Sequence, residues 1–168
     1  MTLPSKPLRL NQIGPGVSRS LTADAAASEA VRRDLGLGAV RALSAEVSVV
    51  PAGEGWHLSG RVQADLDQVC GVTLEPLPTR IDAPFSLDLL EGEPPTVDGE
   101  VDIDPNHDGP DWVAGHIDLW AYALEHLALA LDPFPRKPGA VFVQPDEAAE
   151  VSPFAVLSRL TPRRDSEG

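Results

Sequence analysis

The sequence predicts an α+β fold, an antiparallel sheet of about five or six strands packed with two main helices and a short C-terminal helix. Three observations predict it. Two runs of apolar–polar alternation, 40–50 and 56–66, flank residues 51–55 (PAGEG), a link too short for a parallel crossover. Two other stretches, 22–35 and 117–131, space their apolar residues helically. Between the hairpin and the second helix, Pro76, Pro78 and Pro84 puncture an apolar stretch, which places its strands at edges or bulges.

Residues 6–13 (KPLRLNQI) alternate weakly and read as a first strand, ended by Gly14, Pro15 and Gly16. The alanine-rich stretch 22–35 (TADAAASEAVRRDL) is a helix with Ala27, Ala30, Val31 and Leu35 on one face. Thr22 is placed to cap its first amides, Asp24 suits its positive end, and Gly36 suits the C′ position. In the hairpin, Leu43, Ala45, Val47 and Val49 share one side of the first strand, while Trp56, Leu58, Gly60, Val62 and Ala64 line up along the second. Further strands are read at Val69–Leu74 and Thr79–Leu90.

Residues 91–111 (EGEPPTVDGEVDIDPNHDGPD) hold few large apolar side chains and read as a long surface loop, with one short strand available to Val97, Val101 and Ile103. The second helix puts Leu119, Tyr122, Ala123, Leu127 and Ala130 on one face, widened by Trp120 and Leu124. Asp118 is its N-cap, Tyr122 staples to Ile117, and Pro133 ends it. A proline-punctuated tail (133–145) leads to SPFAVLSRL, a short helix capped by Ser152 with Pro153 at N1.

A chain of 168 residues suits one domain, here 1–150, with 151–168 as the short C-terminal helix and a polar tail. Hydrophobic residues at 42% and charged residues at 23% fit a globular protein whose core needs no staple. Cys70 stands alone, so a disulfide framework is excluded. Apolar runs are broken well before about 18 residues, which argues against a membrane helix. Lys6, Pro7 and Arg9 sit where the apolar part of a secretory leader would begin, so a cytoplasmic location is expected.

The net charge of −13 is unevenly spread. All 13 basic residues fall outside 81–135, and half of the 26 acidic residues fall inside it. The densest stretch gives the candidate partner-binding acids: Asp88, Glu91, Glu93, Asp98, Glu100, Asp102, Asp104 and Asp108. Such a segment repels a nucleic-acid backbone and attracts a basic protein surface, although a loop of this composition also serves simply as a solvated face. Arg136 and Lys137 with Arg159, Arg163 and Arg164 make a modest C-terminal basic patch. Arg136, Lys137, Arg163 and Arg164 are the candidate RNA contacts, weighed against a solvated tail.

Catalytic signals are weak. Cys70, flanked by Val69 and Val72, reads as a small hydrophobe at a strand end, since nothing in sequence gives it a base or a lowered pKa. His57, His107, His116 and His126 form no helical ligand pair and no H-E-x-x-H pattern. Asp102, Asp104, Asn106 and Asp108 look like a calcium loop at a glance, but His107 takes the glycine position and the bidentate Glu is missing. Phosphate-binding glycine loops are absent too. No enzyme activity, cofactor or metal is expected.

Three blocks together resemble the bacterial YceD family, the large ribosomal RNA subunit accumulation proteins. They are GRVQADLDQVCGVTLEPLPTRIDAPFSLDLL (60–90), IDLWAYALEHLALALDPFPRKPGA (117–140) and SPFAVLSRL (152–160). The match spans about residues 8–161. Its motif residues are Cys70, Thr73, Leu74, Glu75 and Pro76, with Thr73 standing where relatives often carry a second cysteine. The resemblance implies a ribosome-assembly factor needed for accumulation of large-subunit ribosomal RNA, and it brings no catalytic residues. The expected partner is a basic ribosomal protein or the assembling large subunit, with weak direct RNA contact at most and no membrane. RNA binding through the C-terminal bases and an unrecognised hydrolase are the alternatives.

Overall fold

The computed structural model describes residues 2–93 and 109–142. In chain order these form β1 (Pro7–Arg9), a single 3-10 turn (Leu10–Gln12), β2 (Val17–Thr22), α1 (Ala25–Asp34), β3 (Ala39–Ala52), β4 (Gly55–Val69), β5 (Pro76–Glu91), β6 (Asp111–Val113), β7 (His116–Asp118) and α2 (Leu119–Ala130). Strands β2 to β5 pair antiparallel with their sequence neighbours, β6 joins the end of β5 in parallel, and β1 pairs with β7 as a separate antiparallel ribbon. The fold is α+β, with two helices and a mostly antiparallel five-stranded sheet.

The period-two pattern explains how the sheet faces its core. Register sets Leu43 against Ala64, Ala45 against Val62 and Val49 against Leu58, so one apolar row collects on a single face. That face is covered by α1 through Ala30 and Val31, and by α2 through Leu119, Trp120, Ala123, Leu124 and Leu127. Enclosing a side chain such as Leu127, fully buried, contributes about 2 kcal/mol. On the opposite face Ser18, Ser48, Ser59 and Ser86 fall in one row across four strands.

Gly60 has a packing reason. A Cβ there would lie 2.5 Å from the Phe85 ring and 2.6 Å from the Glu46 carbonyl oxygen. The missing side chain lets Phe85 lie over β4, and the His126 ring of α2 stacks on Phe85 with centroids 4.4 Å apart. One glycine thereby sets the approach of helix to sheet.

Several expectations are corrected. The α1 cap is Asp24, whose carboxylate accepts the Ala27 amide at 2.7 Å; Thr22 is the last residue of β2. β2 itself escaped the sequence reading because its exposed polar residues follow a glycine break. Only Pro7–Arg9 of the expected first strand is extended, and it pairs with β7 rather than with the main sheet. Val69–Leu74 is not a strand: β4 ends at Val69 and the chain turns at once. Ala130 is exposed, so the buried stripe of α2 runs through Leu119, Trp120, Ala123, Leu124 and Leu127. The proposed strand near Val97–Ile103, the calcium-like loop and the C-terminal helix lie outside the described residues.

Candidate functional site at the two ends of the sheet

β4 spans 15 residues, about 45 Å of extended chain, and the two ends of the sheet differ in charge. At one end the β3–β4 turn (Gly53–Glu54) lies beside the end of β5, because Trp56 faces Leu89 and His57 faces Asp88 across the ladder. Glu54, Asp88, Glu91 and Glu93 therefore gather at this end, and the chain continues from it into 94–108. Asp88 Oδ1 lies 2.7 Å from His57 Nδ1, and Glu54, Glu91 and Glu93 have no basic partner among the described residues. Asp111 returns the chain through β6 and stands by the Tyr122 hydroxyl; burial, then this carboxylate, push the phenol up to about 12. The partner-binding candidates Asp98, Glu100, Asp102, Asp104 and Asp108 lie outside the described residues.

Elsewhere the sheet neutralises several of its acids, Glu46 in mid-β3 having no ion-pair partner among the described residues. Arg41 donates to Asp65 and Asp67, and Arg61 donates to Asp82 at 2.7 Å. Glu29 on α1 is held down to about 2, chiefly by its hydrogen bond from Arg32 and also by Arg33. A depression of about 610 Å³ lies on the polar face between Ser18, Ser48, Ser59 and Arg61.

At the opposite end β4 runs out into the motif residues. Cys70 is fully buried, and Leu74 closes the turn in the left-handed region (φ 59°), donating its amide to the Cys70 carbonyl. The Cys70 Sγ accepts the Thr73 amide at 3.4 Å and the Lys137 amide at 3.3 Å. The Thr73 hydroxyl first, then the amides of Lys137, Thr73 and Val72, draw the thiol down to about 6 against the opposing effect of burial. Cys70 is thus more than a small hydrophobe: it is the acceptor at the centre of a cage.

The tail after α2 completes that cage. The Gly71 amide donates to the Pro135 carbonyl, Gln68 Nε2 donates to the Asp132 carbonyl, and Lys137 Nζ lies 2.8 Å from Glu75 Oε2. The Glu75 carboxyl is held below its ordinary range by Lys137 and then by the Thr73 hydroxyl. Of the RNA-contact candidates, Lys137 is committed to this clasp, Arg136 is exposed beside it, and Arg163 and Arg164 lie outside the described residues. Pro76 opens β5 immediately after the motif. Sequence reasoning kept the Cys70 motif and the basic tail apart, since 67 residues separate Cys70 from its donor.

No helix among the described residues is long and apolar enough to cross a membrane. No protein-family model, curated protein or solved structure matches the chain.

Proposed function

We propose that the protein is a non-enzymatic ribosome-assembly factor, supporting accumulation of large-subunit ribosomal RNA by holding a basic ribosomal protein against its acidic end. The observation that carries this reading is the charge polarity of the sheet. Asp65, Asp67, Asp82 and Glu75 are paired with Arg41, Arg61 or Lys137, whereas among the described residues Glu54, Glu91 and Glu93 have no ion-pair partner where 94–108 departs, Arg9 being the base that shares a depression with Glu91. The sequence of 94–108 carries five further acids. Unpaired charge exerts a field; paired charge exerts little. The resemblance to the YceD family supplies the ribosomal setting and the cytoplasmic location. Direct RNA contact is the weaker reading, because Lys137 already faces Glu75.

Affinity capture tests it. Changing Glu91, Glu93, Asp98, Glu100, Asp102, Asp104 and Asp108 to their amides is expected to lower recovery of basic large-subunit proteins about tenfold or more. Unchanged recovery defeats the proposal. A sucrose gradient from cells lacking the protein should show a deficit of large subunits, and a normal subunit ratio removes the assembly role.

A further inference from the structure

The end of the molecule opposite the acids leaves apolar surface uncovered. A groove of about 390 Å³ runs between the C-terminal ends of α1 and α2, its apolar walls (Leu35, Leu37, Val69 and Leu131) interrupted by the polar Gln68 and Asp132. Beside it Phe134 (78%), Leu74 (76%) and Leu129 (74%) are among the most exposed large apolar residues of the described chain. Apolar exposure gathered in one region marks a surface that something covers.

We propose that the occupant is the chain's own C-terminal segment, residues 152–160 (SPFAVLSRL). Chain length and position argue for it. The tail from Pro133 to Lys137 forms one rim of the groove and is pinned there by the Gly71–Pro135 and Lys137–Cys70 hydrogen bonds. The described chain ends at Phe142, and the 12 residues from there to Phe154 reach at most about 40 Å, enough to return to a groove lined by Pro135. Phe154, Leu157 and Leu160 repeat every third residue, the spacing of anchors that enter an apolar groove from one side. Tethering places the segment at an effective concentration in the millimolar range, so modest intrinsic affinity suffices. This occupant differs from any client at the acidic end, so the two proposals stand or fall separately.

Hydrogen–deuterium exchange of the full chain, read by mass spectrometry, tests it. In the parent protein the amides of 152–160 should exchange about tenfold or more slowly than a free peptide of that sequence. Ala128→Glu puts a charge on an exposed groove wall without touching the core. It should return 152–160 to the free rate while leaving α1 amides unchanged. Phe154→Ala/Leu157→Ala should do the same, and should also speed exchange at 131–137. Free-peptide exchange in the parent, or protection that survives both variants, overturns the proposal. So does protection that is lost on dilution with a dimer seen in sedimentation, because a second copy would then be the occupant.

Discussion

At Cys70, one sulfur atom links two segments far apart in sequence. The hydroxyl of Thr73 and three backbone amides stabilise the thiolate, and they draw the thiol from its reference value of 9.0 to about 6. Between these values the unfolded chain holds a proton that the folded chain has released. Stability therefore rises with pH across this window, is fully present above about 9, and is lost as pH falls through about 6. Urea midpoints at pH 5.5, 7 and 9 should climb more steeply in the parent than in Cys70→Ala, and parallel curves would show that the cage does not hold a thiolate. The burial of Cys70 was legible in its apolar flanks, Val69 and Val72. The cage was not, because its amide donor Lys137 and the Glu75–Lys137 pair come from a tail whose return depends on tertiary structure.

Among the elements, legibility followed locality. The β3–β4 hairpin and the Asp118 cap of α2 depend on neighbours in sequence, and both were read correctly. The prolines also spoke truly of β5. Since β6 covers only Leu89–Glu91, most of β5 has no outer neighbour among the described residues, and there a missing amide removes no ladder bond. By contrast, β1 and β7 are three-residue strands that exist because each pairs with the other across the chain, a relation no local pattern encodes. Asp118 binds these levels together. Its carboxylate accepts amides from Trp120, Ala121 and Lys6, and although burial opposes ionisation, these donors and Ser5 keep its pKa below the usual value. Asp118→Ala should cost about 1–2 kcal/mol by chemical denaturation, with Asp118→Asn recovering part of it. Gly60→Ala should cost about 1–3 kcal/mol, because the added methyl meets both the Phe85 ring and the Glu46 carbonyl. Phe85→Leu in the same chain should relieve only the ring's share, and full relief would mean that the backbone contact yields freely.

Across the whole molecule, the sheet works as a spacer that keeps unlike surfaces apart. Among the described residues, one end carries Glu54, Glu91 and Glu93 without ion-pair partners; the other carries the Cys70 clasp, Arg136 and exposed apolar side chains. The charge imbalance in sequence did not foretell that Arg41 and Arg61 would neutralise acids in the middle of the sheet, since those pairs form across strands. Among the described residues Asp34, Glu46 and Glu125 also lack an ion-pair partner, so the acidic end differs in density of charge, and dense charge acts mainly on encounter. Screening over about 8 Å at physiological salt limits that action to partners already near the acidic end. The association rate of a lysine-rich peptide, followed by stopped-flow fluorescence, should therefore fall about tenfold between low and moderately high salt. Glu54→Gln/Glu91→Gln/Glu93→Gln should flatten that salt dependence, whereas Asp65→Asn, which removes an acid already paired with Arg41, should leave it nearly as steep as in the parent. Equal flattening by both would mean that the peptide responds to net charge alone, and the polarity of the sheet would have no part in recognition.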